Sequence, residues 1–336
     1  MSEPTPLVGL PEIREAAVGL NGVAVRTPLL PVPDLAARIQ QGTPPRLELK
    51  LENLQRAGAF KFRGAWTYLS HLEDARLAQG VITYSSGNHA RALAQAAHLR
   101  GVPATVVMPT NAPPVKKEGP ERLDARVVLE GTTSEERRQR AEAIAQDEGL
   151  TMVPPFDDPR IIAGQGTAAL EVLEDRPDVD LFLAPIGGGG LLAGSAAAIK
   201  GSHPEARVVG VEPEGAAAMH SSLQAGHPVT LDTVDTIADG LRPVRVGDLT
   251  LRHAQEQVDE VVTVSDDAIR NAARHLFNET HLVVEYSGAA SLAALLQGAV
   301  NLDHVRSAVC LVSGGNLDPG LVPDILPEVR GDAGER

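Results

Sequence analysis

The sequence predicts an α/β protein of two domains, with parallel or mixed sheets covered by helices on both faces. Three observations predict it. Strand-like runs alternate with helical stretches along most of the chain, the order that builds parallel sheets. Those runs are Val, Ile and Leu with little polar alternation, as in strands buried on both faces. The length, 336 residues, exceeds one average domain.

The elements follow in order. Residues 12–20 (EIREAAVGL) and 33–41 (PDLAARIQQ) read as short helices separated by the turn-prone TPLLPVP. RLELKL (46–51) alternates like a strand, and 61–79 has helical spacing after a turn at Gly58. VITYSS is a strand, and HARALAQAAHLRG is a helix closed by Gly101. PATVVMP and ARVVLEG are strands, and a charged helix runs from Ser134 to Gly149 with Ser134 and Glu136 at its start. TMVPPF is a strand. A second series follows: DLFLAPI, the helix LLAGSAAAIKG and the strand RVVGVEP. Last come EVVTVS, helices from Asp266 and from Ser287, and the strand SAVCLVSGG.

The net charge of −14 argues against binding a nucleic-acid backbone. The single cysteine, Cys310, allows no internal disulfide and fits a reducing cytoplasm. The first residues lack the apolar core of a secretory signal, and no run approaches the roughly 20 apolar residues of a membrane span. The expectation is a cytoplasmic protein with no membrane partner. The ten histidines form no H-E-x-x-H or Cys/His cluster, and no G-x-S-x-G elbow is present, so zinc and serine-hydrolase chemistry lack an anchor.

Pro185–Lys200 (PIGGGGLLAGSAAAIK) runs from an apolar strand through Gly187, Gly188, Gly189 and Gly190 into a helix. Bare N–H groups at a helix N-terminus suit a phosphate. Gly188-x-Gly190-x-x-Ala193, with Glu212 ending the next strand, formally matches a dinucleotide fingerprint, so a nicotinamide dehydrogenase is one reading.

Lys61 lies between Phe60 and Phe62 in KLENLQRAGAFKFRGA (50–65). A lysine among apolar groups loses charge stabilisation and becomes a nucleophile toward aldehydes, although a snorkelling surface lysine is the commoner case. The neighbouring residues decide. The segment resembles the lysine motif of the fold-type-II pyridoxal-phosphate enzymes, which include threonine and serine dehydratases and serine racemases. Further blocks resemble that family in order: YSSGNHARALAQAA (84–97), PFDDPRIIAGQGTAALEV (155–172), the glycine loop, TIADGL (236–241), VVEYSGAAS (283–291) and SGGNLD (313–318).

The resemblance implies the tryptophan synthase beta-like fold and a pyridoxal 5'-phosphate cofactor. A large domain (1–80 and 151–330) would hold it, with a small inserted domain (81–150) on the substrate side and a flexible tail (331–336). Lys61 would bond the cofactor aldehyde and then take the substrate Cα proton, with Phe60 flanking the ring. Asn88 would bond the phenolic oxygen. Main-chain groups around Ser85, Ser86, Asn88 and His89 would hold the substrate carboxylate. Gly187 to Gly190 and Leu191 would hold the phosphate, Gly240 would back the ring, and Glu285 would lie at the cofactor edge. Ser313 would meet the ring nitrogen as a neutral hydroxyl, which favours expulsion of a β-substituent. Ser86 would be the second base of a racemase.

Three positions depart from the family. Ala59 stands for the usual Ser, and Tyr286 stands for Pro and is expected to reshape the wall near the ring. Some members carry a divalent cation (Mg or Ca) after the strand ending at Glu212. Glu212 and the main chain of Ala216 remain here, but Ala218 lacks the second carboxylate, and a hard cation wants several oxygens. The expected activity is dehydration of L-threonine or L-serine to a 2-oxo acid and ammonia. Racemisation of serine or dehydration of hydroxyaspartate are the alternatives. A homodimer is implied, and the short tail after Asp318 leaves no feedback domain in this reading.

Overall fold

A computed structural model describes residues 5–40, 43–85 and 87–326. Ser86 and the expected tail (331–336) lie outside the described residues. The strands are β1 (Leu29–Pro31), β2 (Arg46–Leu51), β3 (Val81–Tyr84), β4 (Ala104–Met108), β5 (Arg126–Leu129), β6 (Thr151–Met152), β7 (Leu181–Pro185), β8 (Arg207–Pro213), β9 (Glu260–Val264) and β10 (Ser307–Val312). A six-stranded sheet has the order β1-β2-β10-β7-β8-β9, and a four-stranded sheet has β5-β4-β3-β6. All pairings are parallel except β1 with β2, which is antiparallel.

Both faces of the large sheet are covered. Along β7, Phe182 and Ala184 enter one apolar cluster with Ile162, Leu192 and Ile199. Leu181 and Leu183, pointing the other way, enter a second with Ile269, Leu276 and Leu292. The small sheet repeats the pattern. Val81 and Val106 pack with Phe62, Leu69 and Leu93, whereas Ile82 and Val107 pack with Ala141 and Ile144. Alternate residues therefore serve two cores, which is why these strands read as unbroken apolar runs. Among the described residues no helix is long and apolar enough to cross a membrane.

Some expectations change. TPLLPVP contains β1, an edge strand, where proline is tolerated. The helical stretch 61–79 divides into Lys61–Ser70 and Asp74–Gln79. The charged helix is capped one residue earlier than expected, by Thr133 in a capping box with Glu136. Helices Pro114–Glu121, Ala218–Ala225 and Asp248–Gln257 have no counterpart in the sequence reading.

Three helices are packed through glycines, and this spacing sets the site. Helix Pro159–Asp175 lies between Lys61–Ser70 and Gly190–Ser202. A Cβ on Gly164 would sit 2.7 Å from the Arg63 carbonyl oxygen, and one on Gly194 would sit 2.2 Å from that of Ile162. Both collisions are with backbone. Gly194→Ala is therefore expected to destabilise the fold by about 1–3 kcal/mol, the usual cost of overpacking. Urea unfolding measures it, and an unchanged midpoint would show that these helices separate freely.

Candidate active site

After β2 the chain turns through Ala57 (φ 59°) and Gly58 (φ 74°). The turn lays Ala59 against Gly314 as an isolated bridge, and the Phe60 N–H donates to the Ser313 carbonyl at 3.1 Å. The helix that begins with Lys61 is thus fastened to the end of β10. The Lys61 Nζ donates to the Pro155 carbonyl at 2.6 Å and lies 5.1 Å from the Phe60 ring centroid. Burial lowers this ammonium to about 8, so a free amine is accessible near neutral pH.

Beneath it lies a buried ionic cluster. Arg63 bonds Glu52 at 2.7 and 2.8 Å and Glu171 at 2.7 and 2.9 Å, and Lys50 bonds Glu171 at 2.5 Å. Burial alone would raise the Glu52 carboxyl, but Arg63 overrides it and holds it below its usual range.

Pro155 leads to Phe156, which packs on the glycine loop, where a Cβ on Gly188 would overlap its ring. Gly189 adopts φ 95° and caps helix Gly190–Ser202, leaving the first-turn N–H groups of Gly190 and Leu191 without helical partners. The Leu191 side chain is buried in the core. Gly188 is held from behind, its carbonyl accepting from Thr250 Oγ1 at 2.8 Å. Gly187 lies against the Gly240 carbonyl, 2.9 Å from where a Cβ would be. The Gly240 N–H donates to Ser287 Oγ at 2.8 Å, and Ser313 Oγ donates to the Ser287 carbonyl at 3.4 Å. Ser287 therefore joins Gly240 to Ser313.

From the small sheet, Ser85 follows β3, and Asn88 and His89 open helix Asn88–Arg100. Asn88 Nδ2 donates to Glu285 Oε1 at 2.5 Å. Burial pushes the Glu285 carboxyl up to about 7. The His89 ring turns inward, with Nε2 3.2 Å from the Val153 carbonyl and Nδ1 buried without a partner. Burial, helped by Lys61, lowers His89 to about 3, so it is neutral and carries its proton on Nε2. Its main chain, not its ring, is left for an anion.

Two expectations are corrected. Glu212 is fully buried and its two oxygens accept from the Met219 and His220 N–H groups at 2.8 and 2.9 Å. It caps helix Ala218–Ala225 and is turned neither to a cation shared with Ala216 nor to a ribose. Among the described residues no group of three or more His, Cys, Asp or Glu is placed to hold a metal ion. Tyr286 does not wall the site. Its ring packs in the core and its hydroxyl lies 3.4 Å from Asp324 Oδ2.

The sequence reading missed Phe156, Asp157, Thr250 and Asn316. Phe156, Asp157 and Asn316 stand inside motif blocks already singled out. Thr250, whose N–H donates to Asp157 with those of Asp248 and Leu249, carries no local signal.

The pyridoxal-phosphate dependent enzyme family profile matches residues 20–314. The chain is 39% identical over 321 residues to an L-threonine ammonia-lyase of Thermotoga maritima, covering 95% of this chain and 78% of that one. It is 43% identical to the catabolic L-threonine dehydratase of Escherichia coli, covering 82% and 84%. The structure of maize serine racemase superposes with a TM-score of 0.90 at 37% identity, covering 94% and 95%. A match across most of the chain, on a fold that brings Lys61, the glycine loop and Ser313 into one connected site, shows that this protein belongs to the pyridoxal-phosphate dependent enzymes.

Proposed function

We propose that the protein is a pyridoxal-phosphate-dependent ammonia-lyase that converts L-threonine or L-serine to a 2-oxo acid and ammonia. The observation that carries this reading is the Lys61 amine, lowered to about 8 by burial and linked through Pro155 and Phe156 to the glycine loop. The names of the two bacterial relatives, both acting on L-threonine, support the substrate.

The residues present fit the cofactor. The loop 187–190 has no side chains and enters a helix N-terminus, the donor set a phosphate takes. Ser313 is buried, and among the described residues its hydroxyl makes one long contact, to the Ser287 carbonyl, which it can exchange for a ring nitrogen. Phe60 would flank the ring, Gly240 would back it, Leu191 would add an N–H to the phosphate, and Asn88 and Glu285 would meet the oxygen-bearing edge. When bound, the cofactor supplies an aldehyde that joins the substrate amine and a ring that draws electrons from Cα.

Lys61 then takes the Cα proton as a neutral amine. Main-chain N–H groups around Ser85, Asn88 and His89, where a helix begins, would hold the substrate carboxylate together with Ser86 of the same motif. The neutral Ser313 leaves the ring a milder electron sink than a carboxylate would, which suits rapid loss of the β-hydroxyl as water. Hydrolysis of the dehydrated product returns that water and releases the 2-oxo acid and ammonia.

The same proposal has two lobes (1–80 with 151–330, and 81–150) and a homodimer; two sheets that share no strand support two lobes, and β6 (Thr151–Met152) joins the smaller sheet just past the smaller lobe's bound. The test is purified protein with added pyridoxal phosphate and L-threonine. 2-Oxobutanoate release with a changing visible band is the expected result, and a protein that stays colourless and inactive sinks the reading. L-Serine in the same assay measures racemisation, the second reading, favoured by the likeness to maize serine racemase. D-serine beside pyruvate would establish racemisation, and Ser86 would be its second base if Ser86→Ala lost D-serine and kept pyruvate.

A further inference from the structure

We propose that Asn316, oriented by Arg91, is a positioning residue that decides which end of the Asn88 amide faces the cofactor. Arg91 NH1 donates to Asn316 Oδ1 at 2.8 Å. Asn316 Nδ2 donates to the Ala57 carbonyl at 2.8 Å and to Asn88 Oδ1 at 2.8 Å. Asn88 Nδ2 in turn meets Glu285 Oε1.

Direction is the point of this chain. The oxygen and nitrogen of an isolated amide can exchange places at little cost. The Asn316 amide cannot, because a guanidinium offers only donors and a backbone carbonyl only acceptance. Held at both ends, Asn316 presents its second N–H to Asn88. Asn88 must then answer with its oxygen, and its own NH₂ group is turned to Glu285 and the cofactor oxygen. A polar relay therefore runs one way, Arg91 to Asn316 to Asn88 to Glu285.

The relay also couples two motifs far apart in sequence. Ala57 belongs to the turn that delivers Lys61, and it is left-handed at φ 59°. Gly58 lies directly under the Asn316 side chain, where a Cβ would sit 2.5 Å from Oδ1. One side chain thus holds both the lysine turn and the Asn88 amide.

The cofactor half of this proposal rests on the function proposed above; the amide orientation does not. Asn316→Asp keeps the shape but carries only acceptors. The Ala57 carbonyl then loses its donor, and Asn88 reverses so that its oxygen faces the cofactor. Two measurements separate the parts. In protein without cofactor, the Asn88 side-chain N–H resonances are expected to move in Asn316→Asp and in Arg91→Met, and to hold in Arg91→Lys, which keeps a donor. Unmoved resonances in Asn316→Asp overturn the relay whatever the cofactor does.

With pyridoxal phosphate added, the dissociation constant is expected to rise about tenfold or more in Asn316→Asp, the worth of a bond to a charged oxygen, with a shifted visible band. Arg91→Met is expected to act in the same direction, and Arg91→Lys to keep both near the wild-type values. Moved resonances with unchanged affinity and band overturn the role toward the cofactor. Wild-type protein that fails to take up pyridoxal phosphate sinks the proposed function instead, and the resonances alone then judge the relay.

Discussion

Lys61→Ala is expected to lower 2-oxo acid release from L-threonine by at least about a thousandfold, since in the proposed chemistry one side chain supplies both the covalent attachment and the proton transfer. Stability should not follow. The lysine's side-chain hydrogen bond is to the Pro155 carbonyl, and truncation removes a desolvated amine instead of creating an unpaired charge. Turnover and urea midpoint measured together on the same variant check this, and retained turnover would remove Lys61 from the chemistry. The lowered amine adds a pH dependence with a definite sign. Only the neutral form attacks an aldehyde, so the rate of cofactor uptake should climb as pH rises through about 8 and level off above it. A flat profile across that range would show that the amine is already neutral or is not the group that reacts.

Arg63→Ala is expected to produce the largest loss of stability, about 3–5 kcal/mol by urea unfolding, the usual result of removing one partner from a buried ionic cluster. Arg63 is 1% exposed, and both its carboxylate partners would remain. Lys50 pairs with Glu171, but among the described residues Glu52 would be left with Thr27 alone as its side-chain hydrogen-bond donor. Glu52→Gln in the Arg63→Ala background should recover part of the loss, because the orphaned charge is then gone. Equal losses in the single and double variants would show that packing, not charge, sets the cost. The cluster joins β2, the Lys61 helix and helix Pro159–Asp175, so the same variant should also lose cofactor affinity.

Much of the fold was legible in the residues because its signals are local. β2 and β8 have the bounds that the alternating RLELKL and the apolar RVVGVEP suggest, and Gly101 closes its helix in the left-handed conformation glycine permits. The lysine motif, the glycine loop and the SGGN turn were visible for the same reason: each is a short segment whose residue types state their own chemistry. Glu212 misled because its sequence position, at the end of a strand before a turn, is the same whether a carboxylate meets a ribose, a cation or a helix N-terminus. Only the N–H groups of Met219 and His220 distinguish these. Tyr286 misled because a large ring next to a motif residue points toward the site or away from it according to what lies behind, here Asp324.

By itself, then, the sequence determined the alternation of strands and helices, the chemical identity of the lysine, and the anion-binding character of the glycine loop. These depend on side-chain type and spacing within a few residues. The tertiary structure alone decided the partners about 60 to 260 residues away: Arg63 with Glu171, Phe60 with Ser313, Thr250 behind Gly188, Asn316 against Ala57 and Asn88. Hydrogen-bond direction and burial are properties of both partners together. They shift an amine or orient an amide only once packing has brought the distant group within reach.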